Sequence, residues 1–458
     1  MSPRDPARRT DPLVAAMEIL ERFSMGRGLL DRLADDAFDR HPGLSKNERS
    51  LVTAMAFGTV RHLGRVDFVL SRFSSTPLAK VKPRILSILR LGAFQLLYTD
   101  RPAPLVVDGC VRLVGGKAPK WLTGFVNGLL RTVARQGQDA VLPDFGRDPA
   151  GHLAAALSCP EWLAQRRVER LGPEEARQLC EADNRIPFLF IRENPLAPGF
   201  TDLEPLLADH VRDLAPGRYA PGSWSFTRPD AALDALDAHC RGFFTVQDEG
   251  SQLVSLLLAP QPGERVLDAC AGMGVKTGHL VQLMKNQGEV VAADVEAGKL
   301  RVLEKEMERI HAGIAATRLK EPGGEYLLPG EEPFPRVLVD APCSGLGALR
   351  RHPDAKWLKT GADLPRQAEN QLSILSLAAK AVAPGGTLVY AVCSLEPEEN
   401  EGVADRFLGG HTDFTLSAPA ARLPEPARDM ESPDGFFRAR PHVHGTDGFF
   451  VAVFTRRP

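Results

Sequence analysis

Apolar residues recur every three or four positions through the first third of the chain, which predicts helices with one face to bury. The clearest are LVAAMEILERF (13–23), ERSLVTAMAFGTVRHLGRVDFVLSRF (48–73) and PRILSILRLGAFQLLY (83–98). Ser45 followed by Glu48 has the capping-box spacing at the start of the second, and Pro83 suits the first turn of the third. The stretch LPDFGRDPAGH (142–152) breaks the periodicity and reads as a linker. From 153 to 245 the signals mix: a helical piece at EEARQLCEAD, a short strand at FLFIRENP, then turn residues in PGRYAPGSWSF. That mixture predicts a small α+β module.

After residue 246 apolar strands alternate with helical segments, the pattern of βαβ units and a mostly parallel sheet. The expected strands are RVLDAC (265–270), EVVAADV (289–295), RVLVDA (336–341), GTLVYAVCS (386–394) and FFVAVF (449–454). The chain therefore reads as a multidomain protein: an all-α helical domain over 1–141, the α+β module over 153–245, and an α/β Rossmann-like domain over 246–458. Four of the five strands end beside a residue able to do chemistry, where ligands sit in such sheets.

Composition supports folding throughout, with 43% hydrophobic and 25% charged residues among 458. No apolar run approaches the roughly 18–20 residues that cross a bilayer, and MSPRDPARRTDP lacks the apolar stretch of a signal peptide, so a cytoplasmic location is expected. Seven scattered cysteines without a CxxC pair argue against a disulfide framework or zinc, and no metal site is expected. The net charge of −2 conceals an asymmetry: +8 over residues 1–150 and −10 over the remainder. A basic N-terminal third fits a polyanion partner, and equally a solvated basic surface.

Three constellations carry chemistry. The first is Asp268-Ala-Cys-Ala-Gly-Met-Gly-Val-Lys-Thr277, a glycine-containing turn between strand and helix, followed by Asp294 at the end of the next strand. Glycines let backbone approach a ligand, and an acid at that place bonds ribose hydroxyls. The layout is compatible with NAD and with S-adenosylmethionine, but G-x-G-x-x-G is not completed here, and a purely structural turn also fits. The second is Asp340-Ala-Pro-Cys343-Ser-Gly, an acid and a thiol on a proline-stiffened loop; a plain turn with a packed cysteine is its bland reading. The third is Ala391-Val-Cys393-Ser394 ahead of Glu396-Pro-Glu-Glu-Asn400, a cysteine at a strand end before a helix start, where amides favour thiolate; a buried inert cysteine is the commoner case for one such residue, and the weight comes from two of them ending strands of one sheet.

One reaction needs all three. C5 of cytosine is too poor a nucleophile to take a methyl group directly, so a thiolate must first add at C6. An acid bonded to N3, for which Asp340 is the candidate, stabilises the charge that develops. The C5 proton then leaves and the thiol is eliminated, helped by Cys343 or another base.

At DACAGMGVKT, DAPCSGLG, RRHPDAKW and AVCSLEPEENE, in this order, the chain resembles the bacterial 16S rRNA 5-methylcytosine methyltransferase B (RsmB) family. Residues 10–140 look like its NusB-like helical domain, with KWLTGFVNGLLRTV as the nearest stretch; CPEWL, NRIPFLFIRENP and DGFFVAVF resemble later segments. The resemblance implies S-adenosylmethionine as methyl donor and structured RNA, small-subunit rRNA, as partner, with no membrane and a monomer sufficient. It makes Cys393 the nucleophile, Cys343 the cysteine that assists release, Asp340 the residue on the cytosine, and Lys276 the group between donor and base. Cys270, Ala271, Gly272, Met273, Gly274, Val275, Lys276, Asp294 and Asp340 would hold the methyl donor, and His352, Lys356 and Trp357 would lie beside RNA.

Two departures fall on the cofactor side. The family loop reads Ala-Ala-Pro-Gly-Gly-Lys-Thr, whereas Met273 and Val275 stand here, and Val275 would be strained at positive φ. The family's acid near adenine is missing, with Glu321 as its expected substitute. The rival reading is a non-catalytic RNA-binding or ribosome assembly factor with a drifted cofactor loop.

Overall fold

The computed structural model describes residues 11–116 and 118–458, so the first ten residues of the expected 1–141 domain, and Lys117, lie outside the described residues. The chain forms two compact units, one of residues up to 185 together with 349–361, the other of 186–348 with 362–458.

The first unit is helical. Pro12–Ser24, Lys46–Arg61, Leu63–Phe73, Pro83–Tyr98 and Lys120–Gln136 bury Ile19, Val52, Leu70, Ile88 and Leu130 in one core. The capping box is formed, with Glu48 N donating to Ser45 Oγ at 3.3 Å and Ser45 N to Glu48 Oε2 at 2.9 Å. The helix expected over 48–73 is two helices that break at His62. His62 stacks on Tyr98 with ring centroids 4.0 Å apart, a long-range contact that periodicity cannot register. Within the expected linker 142–152, Pro149 opens the helix Pro149–Leu157, capped by Asp148.

Residues 349–361 pack into this unit. Trp357 Nε1 donates to Val60 O at 2.9 Å, and the buried Lys356 Nζ donates to Arg61 O at 3.0 Å and Asn184 Oδ1 at 3.3 Å.

The second unit opens with β1 (Leu189–Glu193), β2 (Arg212–Pro216), β3 (Ser223–Thr227) and β4 (Phe244–Val246), an antiparallel sheet in the order β2-β3-β1-β4. The expected 153–245 module thus spans the division: 153–185 is helical and belongs to the first unit, 186–245 to the second.

The larger sheet contains β5 (Arg265–Asp268), β6 (Glu289–Asp294), β7 (Ala315–Leu319), β8 (Phe334–Asp340), β9 (Val382–Val392), β10 (Phe414–Leu416), β11 (Phe437–Ala439) and β12 (Phe449–Arg456). Its order is β10-β12-β9-β8-β5-β6-β7, with β11 paired to β12. Strands β5 to β9 run parallel and β12 runs antiparallel to β9. The sequence pattern missed β7, whose AATRL is an edge strand with no fully buried residue, and the three-residue β10 and β11. The chain moves outward from β5 through β6 to β7, then returns to place β8 on the other side of β5. That reversal opens a crevice at the carboxyl ends of β5 and β8.

Candidate active site

A cavity of about 350 Å³ fills this crevice, within the size range of small-ligand sites. Cys270 and Gly272 line it from the loop after β5, Asp294 from the end of β6, Lys320 and Tyr326 after β7, and Asp340 from the end of β8. Asn370 and Ser373 contribute from the helix Asp363–Ala379. A larger, open groove along the helix Ala297–Arg309 and β7 meets no strand carboxyl end and gathers none of the expected site residues.

The loop after β5 is pinned rather than floppy. Gly272 N donates to Asp294 Oδ2 at 2.9 Å and Glu296 N to Asp294 Oδ1 at 2.8 Å, so one carboxylate ties the loop to the end of β6. Gly272 and Gly274 adopt φ of 57° and 90°, where a side chain would be strained, and a Cβ on Gly272 would enter open space. Val275 is the first residue of the helix Val275–Leu283 and its φ is not positive, so the strain considered for valine there does not arise. Met273 is exposed, and Ala271 N donates to Ala293 O. Thr277 Oγ1 donates to Asp268 Oδ2 at 2.8 Å; burial pushes the Asp268 carboxyl up to about 7 against that bond.

At the adenine end expected for Glu321, the glutamate is exposed and is not a wall residue of the cavity; Lys320, Pro322 and Gly323 are. Lys320 Nζ sits 4.4 Å over the Tyr326 ring, and burial lowers its pKa. Neither residue carried a motif signal, because β7 itself was invisible.

On the other side, Lys276 Nζ pairs with Asp340 Oδ2 at 2.6 Å and lies 5.3 Å from the centroid of Phe449. Cys343 and Cys393, 50 residues apart, come together with Sγ atoms 3.2 Å apart. Adjacent parallel strands do this: β8 and β9 are in register, and Ala341 N donates to Ala391 O. The Cys393 thiol is pulled down chiefly by its hydrogen bond with Cys343, while Cys343 is pushed up by the same bond and by burial. The contact therefore favours thiolate on Cys393 over Cys343. Among the described residues no cluster suited to a metal ion occurs.

The expected RNA residues are elsewhere. Lys356 and Trp357 are occupied inside the first unit by the bonds given above, with burial lowering Lys356 to about 8. His352 is exposed and lies 3.2 Å from Asp31.

A mostly parallel sheet with a glycine-bearing loop after its central strand, an acid closing the next strand and a paired-thiol centre is the arrangement expected of an S-adenosylmethionine-dependent methyltransferase. The family profile described as 16S rRNA methyltransferase RsmB/F matches residues 255–455, and that of the NusB family matches 12–135. The chain is 34% identical over 420 residues to a probable ribosomal RNA small subunit methyltransferase B of Bacillus subtilis, covering 90% of this chain and 92% of that one. It is likewise 34% identical to the Escherichia coli ribosomal RNA small subunit methyltransferase B, over 87% of this chain and 91% of the relative. The solved structure of PH0851 superposes with a TM-score of 0.79 at 25% identity, over 97% of this chain and 99% of that one. The chain belongs to the 16S rRNA methyltransferase RsmB/F family.

Proposed function

We propose that this protein methylates C5 of a cytosine in 16S ribosomal RNA through a covalent bond between Cys393 and C6 of the base, acting as a monomer in the cytoplasm. The observation that carries the reading is the 3.2 Å approach of Cys343 and Cys393 beside the Lys276–Asp340 pair. S-adenosylmethionine supplies the methyl group as an electrophile. The cavity fits it: open space over the Gly272 backbone, the Asp294 carboxylate for ribose hydroxyls, and a wall of mixed polar and apolar character. Cys270, Ala271, Met273, Gly274 and Val275 shape the loop at its methionine end.

Cys393 thiolate adds to C6, and the electron pair displaced from the C5–C6 bond moves toward N3. The Lys276 ammonium, which donates to Asp340 Oδ2, meets that charge. After methyl transfer a base removes the C5 proton, the ring double bond re-forms, and Cys393 leaves as thiolate. Cys343 eases the departure by donating its hydrogen bond to the leaving sulfur. The basic first unit supplies phosphate contacts, with exposed His352 among its candidates.

The test is methyl transfer from radiolabelled S-adenosylmethionine to 16S rRNA, with the product identified as 5-methylcytosine by nucleoside analysis. Label in another nucleoside would overturn the C5 assignment, and RNA binding without S-adenosylmethionine binding would favour the non-catalytic assembly factor.

A further inference from the structure

Glu399 lies in the LEPEENE stretch after the Cys393 strand, and no step above uses it. Its side chain is fully buried and accepts from Ser344 N at 2.7 Å, Ser344 Oγ at 2.5 Å, Ser394 Oγ at 2.5 Å and Gln371 Nε2 at 2.9 Å. None of these donors is a cation, so hydrogen bonds alone hold a carboxylate in the interior. Ser344 follows Cys343 and Ser394 follows Cys393; one side chain therefore spans the two loops that carry the thiols.

The brace extends further. Gln371 Nε2 also donates to Pro342 O at 3.1 Å, and the Tyr390 hydroxyl donates to Gln371 Oε1 at 3.1 Å and to Glu399 O at 2.6 Å. The attachment is lopsided. Ser344 supplies two donors and Gln371 grips Pro342 beside Cys343, whereas only Ser394 belongs to the Cys393 loop.

We propose that Glu399 is a positioning residue that fixes the separation of the two thiols and keeps their shared proton on Cys343, leaving the nucleophilic charge on Cys393. A negative charge disfavours thiolate on the sulfur nearest to it. The other ionisable groups facing the pair are Asp340, Lys276 and Asp447 around Cys393, and Tyr390 beside Cys343. The charge of Glu399 contributes to holding Cys343 up, and that of Lys276 to holding Cys393 down, each secondary to the hydrogen bond between the thiols. The catalytic consequence rests on the methyl-transfer reading above; the proton placement does not.

The experiment is brief labelling of the full-length protein with limiting iodoacetamide between pH 6 and 9, with peptide mass spectrometry of both cysteines. In the wild type Cys393 should be labelled at least about tenfold faster than Cys343, the ratio of one pKa unit. Glu399→Gln, which removes the charge and keeps the shape, should bring the ratio within about threefold and lower kcat for RNA methylation with KM for RNA unchanged. Glu399→Asp, which keeps the charge, should retain the Cys393 preference.

Equal labelling in the wild type would overturn the proposal whether or not any variant folds. So would a tenfold preference that survives Glu399→Gln in protein with an unaltered circular dichroism spectrum. Labelling needs neither RNA nor methyl donor, so a failed methylation assay would count against the reaction and leave the role of Glu399 standing.

Discussion

Lys276 Nζ lies 2.6 Å from Asp340 Oδ2, and this pair joins the helix after β5 to the end of β8 across the switch point of the sheet. Asp340 alone would be a bare acceptor toward an N3 that gathers negative charge. In the proposed mechanism the lysine beside it supplies a donor where the charge develops. Lys276→Met should therefore lower the single-turnover methylation rate by about 10²–10³ while RNA affinity stays constant. A rate within about threefold of wild type would remove the pair from the chemistry.

In the proposed mechanism the two thiols have different roles, which two variants separate. Cys393→Ser should abolish methylation and form no adduct, since the nucleophile is gone. Cys343→Ala should still form the C6 bond but release it slowly, leaving a protein–RNA adduct on a denaturing gel. A Cys343→Ala enzyme that turns over freely with no retained band would contradict the release role.

Asp268 titrates where stability can report it. Its folded carboxyl is raised from 3.8 to about 7 by burial, with the Thr277 hydrogen bond opposing. Between these values the folded protein holds a proton that the unfolded chain has lost, so the contribution of this group to stability is full below about pH 4 and falls as pH rises toward 7. Asn does not titrate. The stability of Asp268→Asn relative to wild type, measured by urea denaturation of the protein without methyl donor, should rise by more than about 1 kcal/mol from pH 4.5 to 7.5. A difference independent of pH would place the titration elsewhere.

Trp357 and the surface lysines should fail in different assays. Trp357→Ala removes an indole packed on the helical core and its bond to Val60 O, and should lower the melting temperature by several degrees. Exposed Lys80 and Lys82, changed together to Glu, should leave melting untouched while weakening RNA binding and flattening its salt slope by about one to two. A Trp357→Ala protein of normal stability with weak RNA binding would return that residue to the RNA surface.

The site was legible wherever chemistry coincided with a strand end. Asp268, Asp294, Asp340 and Cys393 sit at or just beyond the carboxyl ends of β5, β6, β8 and β9, and four of the five expected strands of the large sheet carried them in apolar runs that end in polar residues. Lys320 and Tyr326 were illegible because they follow an edge strand whose half-exposed AATRL has no clear period. The placement of Lys356 and Trp357 was illegible because a basic and an aromatic residue in a loop look alike in sequence whether they face solvent or fill a core.

By itself the sequence determined the helical periodicity of the first third, the βαβ succession of the last and which candidate groups end its strands, since these depend on spacing between neighbours along the chain. Tertiary structure alone decided the break at His62, the burial of Lys356 and the brace that Glu399 throws across residues 344 and 394. It also decided that two cysteines 50 positions apart bring their sulfurs within 3.2 Å of each other. Each of these is a contact between distant segments, and its energy depends on a separation in space that no local pattern encodes.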